Sequence, residues 1–252
     1  MLLPKPKTPK KPSGYVLYRG ASLLDGAPIV AIAIIKSTNV KTGNMVQTYI
    51  LADNGLSPLE SAKSGADFAI CGDCKHRRYH GEMRDCYVNI GQGANAVYKA
   101  YLKGNYPAGI QAAADASAAR MVRLGTYGDP AAVPAYVWQA LISKAEGHTG
   151  YSHQWQNGKA SADIMALCMA SADNASERAA AKLAGYRTFR VRGENEPIEA
   201  GEFICPASAE GNKRKLCGEC GACDGGLNSK RADPVIIVHG SLKSRFISIQ
   251  SI

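Results

Sequence analysis

Hydrophobic and polar positions divide the chain into short apolar runs separated by polar, glycine-containing connections. Between residues 14 and 52, YVLYRG, APIVAIAIIK and NMVQTYILA carry the β-branched and aromatic residues of strands, and STNVKTGN between the last two suits a hairpin or short loop. Ser57-Pro58-Leu59-Glu60 predicts a helix start, with Ser as N-cap, Pro at the first helical position and Glu at the third. That helix is expected to end near Gly65.

From residue 67 onward, short apolar runs alternate with helical patterns. DFAIC (67–71), CYVNI (86–90), MVRLG (121–125), TGYSHQW (149–155), IMALCMAS (164–171), TFRV (188–191), EFICP (202–206) and VIIVHG (235–240) read as eight strands. Helices are expected up to about 103, with Ala94, Val97, Tyr98, Tyr101 and Leu102 on one face, over about 108–119 and over about 131–145. A further helix is capped near Asn174–Ser176 and closed by Gly185.

Strands alternating with helices predict an α/β fold, a parallel sheet covered by helices. Eight of them suggest an irregular (β/α) barrel preceded by an N-terminal β-rich segment, with an open doubly wound sheet as the alternative. Residues 1–13 predict a disordered or extended basic tail, which leaves 14–252 as a single barrel-like catalytic domain. The dinucleotide fingerprint and the Walker loop are both absent, and no internal repeat is found.

Composition adds three expectations. With 46% apolar and 20% charged residues, the 252-residue chain is globular and long enough for a sizeable core. No run approaches the ~18 apolar residues of a membrane span. The N-terminus lacks the apolar core of a secretion signal, so a reducing cytoplasm is the expected setting. The net charge of +9 favours a polyanionic partner. Lys5, Lys7, Lys10 and Lys11, set among prolines, form either a solubilising tail or a nucleic-acid-binding arm.

The strongest chemical signal is the distribution of the eight cysteines, seven of which fall in two groups of mirrored spacing. Cys71-x2-Cys74-x11-Cys86 runs one way and Cys205-x11-Cys217-x2-Cys220 the other, with Cys223 added. Three thiolates from one glycine-rich turn can converge on an ion, and both Cys205 and His239 are placed to supply a fourth ligand. The first group has His76 and His80 nearby. Thiolate-rich sites suit zinc or an iron–sulfur cluster such as [4Fe-4S], and spacing does not separate the two. The radical-enzyme pattern Cys-x3-Cys-x2-Cys is absent. Cys168, inside an apolar run, reads as core. Closure of a barrel would bring the two groups together.

In barrels the functional residues lie at the C-terminal ends of strands. The residues so placed include Gln92, Arg123, Asp129, His153, Trp155 and Asp173. Asp129 and Asp173 are the candidate catalytic carboxylates, each with helix capping as the competing role. His153 and Trp155 could stack on and hydrogen-bond a planar base, or serve as core. Arg123, charged within a strand, needs a partner such as Asp129 or a ligand phosphate. Gln92 completes the candidate substrate-binding set.

The runs GASLLDGAPIV, KTGNMVQTYIL, SGADFAICGDCKHR, CYVNIGQG, RLGTYGDPAAVP, TGYSHQW and CPASAEGNKRKLCGECGACDG, spread over most of residues 20–225, resemble a group of uncharacterised bacteriophage proteins. More distantly, a barrel with a late cysteine-rich site and a histidine after it is similar to the tRNA-guanine transglycosylase superfamily, whose phage branch places 7-deazaguanines into DNA. The resemblance implies base exchange. One Asp attacks the sugar carbon and a second manages protons, roles open to Asp129 and Asp173. It also implies a structural zinc held by Cys217, Cys220, Cys223 and His239. The family's spacing is Cys-x-Cys-x2-Cys, whereas here it is Cys-x2-Cys-x2-Cys, and the family's Ser-Gly-Gly-Phe-Gln run is missing.

A phage enzyme modifying nucleic acid bases, in the host cytoplasm and with DNA the expected partner, is therefore the leading expectation. Two alternatives stand beside it: an iron–sulfur protein with redox or nucleotide-modifying chemistry, and a non-catalytic, metal-stabilised nucleic-acid-binding protein.

Overall fold

The computed structural model describes residues 11–37, 42–77, 84–227, 231–239 and 243–249. The basic tail up to residue 10, together with His80, lies outside the described residues. The first sheet contains β1 (Gly14–Ala21), β2 (Pro28–Ile34), β3 (Val46–Ala52), β4 (Met121–Tyr127) and β5 (Gly147–Thr149), in that order. β1, β2 and β3 form an antiparallel meander, and β4 and β5 add to it in parallel. The second sheet is parallel throughout, in the order β6 (Tyr151–Ser152), β7 (Met169–Ala172), β8 (Thr188–Arg192), β10 (Asp233–Ile237), β9 (Glu202–Ile204). The chain is thus mixed α/β, and both sheets are rich in parallel pairs.

β2 explains the placement of the main core. Its residues Ile29 to Ile34 are buried along their whole length, so both faces of the strand are covered. A strand covered on both sides must be apolar at every position rather than at alternate ones, and PIVAIAI meets that requirement. On β4 the buried Val122 and Leu124 belong to the same core as Val137, Trp138 and Leu141 of α5 (Ala135–Ile142). The Trp138 indole N–H reaches the Pro130 carbonyl at 3.0 Å, so its one polar atom is satisfied.

Helix starts follow local chemistry. α1 (Pro58–Ser64) has the reciprocal capping box foreseen for Ser57 and Glu60, and ends at Gly65 in the left-handed conformation. Three apolar runs depart from the strand reading. DFAIC forms a single helical turn, α2 (Phe68–Cys71), because the flanking Gly65 and Gly72 both take positive φ and turn the chain at each end. CYVNI has no strand partner among the described residues; it leads into a π-helical turn at Ile90–Ala94 that continues as α3 (Asn95–Leu102). IMALCMAS divides into the end of α6 (Ala162–Leu167) and β7, with α4 (Ile110–Ala116) preceding both in the chain. Short apolar runs look alike as buried turns and as buried strands, and tertiary packing decides between them.

The remaining helices are α7 (Ala175–Leu183), α8 (Cys217–Cys220) and α9 (Lys243–Ile249). Among the described residues no helix is long and apolar enough to cross a membrane. β5 and β6 are separated only by Gly150. A Cβ there would lie 2.8 Å from the Cys168 sulfur and 3.0 Å from the Leu167 carbonyl oxygen, so this close approach of strand to neighbour requires glycine.

Candidate metal centre and its surroundings

The loop after α2, the loop after β6 and the end of β7 meet at one point. Among the described residues, one group of three ligand atoms lies within 4.8 Å of one another, and it is drawn from His76, His153 and Asp173. His76 Nε2 is 2.8 Å from Asp173 Oδ2 and His153 Nε2 is 3.6 Å from the same oxygen. Both ring nitrogens are enclosed, and neither is oriented for a hydrogen bond of normal geometry. On the far side of the His76 ring, Nδ1 lies 3.0 Å from Asp85 Oδ2. Lys75 Nζ is 3.2 Å from Asp173 Oδ2 and 2.7 Å from Glu177 Oε1. Phe246 of α9 stacks on the His76 ring at 5.1 Å.

Local sequence explains why the Asp173 carboxylate faces this site. The cap of α7 is Asn174, whose side chain accepts from the Glu177 N–H at 2.8 Å. Glu177 in turn accepts from the backbone N–H of Asp173 at 2.8 Å. Capping therefore uses the backbone of Asp173 and leaves its side chain for the histidines. Burial alone would raise this carboxyl, but His153 and His76 outweigh burial and hold it well below the usual range. Burial alone would also lower His76, yet the Asp173 and Asp85 carboxylates raise it to about 9. Without a metal the imidazole is therefore a cation at neutral pH.

Asp129, the other candidate carboxylate, has a different environment. It caps the 3₁₀ turn Pro130–Ala132, accepting from the Ala131 N–H at 3.0 Å. It also accepts from Ser152 Oγ at 2.8 Å and from the His153 N–H at 2.9 Å. Burial raises this carboxyl, against those three hydrogen bonds. Both oxygens are engaged in holding the His153 loop against the end of β4, so capping is the role that the structure displays.

The first cysteine group stays together. Cys71, Cys74 and Cys86 are electrostatic neighbours, with Arg84 beside Cys71 and Cys86. Burial pushes the Cys71 thiol well up and the Cys86 thiol up. Cys74 goes the other way, because His153 and His76 outweigh its burial and lower it. Gln154, fully buried, ties this loop in place by donating to the Cys71 carbonyl at 3.0 Å.

The second group is also assembled. Cys223 is within electrostatic reach of Cys205, Cys217 and Cys220, and burial pushes its thiol up to about 12. Burial raises Cys205 as well. The His239 ring lies 6.0 Å from that of Tyr87, and Cys205 is an electrostatic neighbour of Cys217, Cys220 and Cys223. Arg123 links the two groups. Its Nη2 donates to the Tyr87 hydroxyl at 3.3 Å, next in sequence to Cys86, and the guanidinium lies 5.5 Å above the Tyr151 ring with Cys217 and Cys223 in reach.

Of the other candidates, Trp155 donates its indole N–H to the Ser171 carbonyl at 2.7 Å and packs against buried Met165, Ala170 and Ala181, a core role. Gln92 is exposed on the π-helical turn and does not join the site. Cys168 is fully buried in the main core, as expected. Sequence reasoning missed Asp85, Glu177, Tyr87 and Tyr151, and placed Lys75 and Gln154 at strand ends without giving them a role. Asp85, beside Cys86 and nine residues after His76, carried a usable signal as an acidic neighbour of two candidate ligands. Comparisons with protein-family models, curated proteins and solved structures returned no match.

Proposed function

We propose that this chain is a metal-dependent enzyme acting on nucleic acid bases, with its reaction centre at His76, His153 and Asp173. The observation that carries this reading is the convergence of two enclosed imidazole nitrogens on one carboxylate oxygen, with Asp85 behind one ring. A carboxylate on the far nitrogen is the usual means of orienting a metal-ligating histidine. Two imidazoles and one carboxylate suit zinc or a comparable divalent ion, and three protein ligands leave coordination positions open, as catalytic sites do. Such an ion, when bound, supplies Lewis acidity at this point.

The chain's own residues do the rest. Asp85 holds the His76 ring so that Nε2 faces the site. Lys75 neutralises Asp173 and Glu177 and offers a cation to an anionic substrate. The net charge of +9 supports a polyanion, with DNA favoured by the resemblance to phage proteins. The site lies at the C-terminal ends of the parallel strands β6 and β7, the edge that carries functional residues in irregular barrels and in open parallel sheets alike. Metal analysis of the purified protein, joined to a base-release assay on defined DNA and RNA, tests the reading. The double variant His76→Ala/His153→Ala should lose both metal and turnover; undiminished turnover in that variant would sink it.

Base exchange of guanine for a 7-deazaguanine in DNA is the second reading, favoured by the anionic state of Asp173 beside a protonated His76. In this form Asp173 attacks the sugar carbon and His76 gives its proton to the departing base. Release of labelled guanine that survives chelation would select this reading over the first. Salt-sensitive DNA binding without any turnover would leave a binding protein.

A further inference from the structure

The second thiol group plays no part in the reaction centre just proposed. We propose that Cys205, Cys217, Cys220 and Cys223 bind a four-iron, four-sulfide cluster whose negative charge is balanced by Arg123.

Spacing is the first argument. A single tetrahedral zinc, with Zn–S near 2.3 Å, holds its sulfurs about 3.8 Å apart. Among the described residues no three thiols lie within 4.8 Å of one another, although these four share one electrostatic environment. The polypeptide around them is closely fitted. Gly218 of α8 packs against the Thr42 carbonyl and Met45, where a Cβ would lie 3.1 Å from that oxygen. Just beyond Cys223, a Cβ on Gly225 would lie 2.1 Å from the Ala166 carbonyl oxygen. Four thiols gathered in one neighbourhood, yet standing wider apart than a single bound ion would hold them, suit a polynuclear iron–sulfur cluster.

Charge is the second. The buried arginines Arg77, Arg187, Arg190 and Arg192 each pair with a carboxylate. Arg123 has no carboxylate within ion-pair distance among the described residues, and its Nε is enclosed without a hydrogen-bond partner. Its surroundings are Tyr87, Tyr151, Cys217 and Cys223. Beside four neutral thiols, this half-buried guanidinium would have no counter-charge among the described residues. Four thiolates around a cluster leave a net negative charge and supply one. Tyr151 neighbours the Cys223 thiol, a position from which a side chain can tune such a cluster.

The test begins with the whole chain, purified without oxygen and analysed for iron, zinc and acid-labile sulfide. The expected result is about four sulfides per chain with a broad visible absorption that bleaches on reduction. The sulfide should be retained in His76→Ala/His153→Ala and lost in Cys217→Ser/Cys220→Ser. One zinc per chain without sulfide overturns the cluster. Arg123→Gln should shift the reduction potential to more negative values while Arg123→Lys leaves it near wild type. An unchanged potential in Arg123→Gln overturns the counter-charge.

Discussion

Asp85 Oδ2 lies 3.0 Å from His76 Nδ1, and this contact selects the ring nitrogen that faces Asp173. An imidazole with one nitrogen occupied in this way presents the other in a single orientation. Asp85→Ala should therefore weaken metal binding by about 10- to 100-fold with the fold retained. Titration with zinc against a competing chelator, alongside circular dichroism, reads both quantities. Wild-type affinity in Asp85→Ala would remove this carboxylate from the site's design.

The metal-free protein should become less stable as pH rises. His76 moves from its ordinary value of 6.5 to about 9 in the folded chain, because Asp173 and Asp85 more than reverse the effect of burial. A group raised on folding contributes stability below its unfolded value and loses that contribution as pH climbs through the folded value. The melting temperature of metal-free protein should thus fall between pH 6.5 and 9. His76→Gln should flatten that slope, and an equally steep slope in the variant would assign it to another group. Saturating metal should also flatten it, since a coordinated imidazole is neutral.

The two strand-end aspartates should separate by readout. Asp129→Ala strands the donors of Ser152, His153 and Ala131, at a cost on the order of 3 kcal/mol in denaturant unfolding. Asp129→Asn should recover part of that loss, since its carbonyl oxygen can still accept from Ser152 and Ala131. Asp173→Asn should instead abolish metal binding and turnover. If Asp129→Asn is fully folded yet inactive, the carboxylate has a chemical role beyond capping.

Glycines 225 and 185 offer a matched pair for packing. Gly225 has φ +122 and a Cβ there would meet the Ala166 carbonyl oxygen at 2.1 Å, whereas Gly185 at φ +84 faces open space. Gly225→Ala should cost at least about 2 kcal/mol and Gly185→Ala about 1 kcal/mol. Equal effects by chemical denaturation would show that the turn after Cys223 can move away from α6.

Elements with their own local chemistry could be read from the chain. Ser57, Pro58, Glu60 and Gly65 define α1 without help from distant residues, and Asn174 with Glu177 does the same for α7. The apolar runs at 67–71, 86–90 and 164–171 lacked such signals, and their conformation followed from what packs around them. Composition likewise marked the two cysteine groups, since thiols at two-residue spacing carry their own geometric meaning.

By itself, then, the sequence determined the α/β class, the helix caps, the two thiol groups and a rim of candidate polar residues, because each depends on neighbours within a few positions. Only the tertiary structure decided that Asp173 meets His76 and His153 while Asp129 is consumed by Ser152, Ala131 and the His153 backbone. Those partners come from separate loops, up to 97 residues apart for His76 and Asp173. Which carboxylate oxygen is left for a ligand depends on how those loops pack, and that is a property of the folded chain.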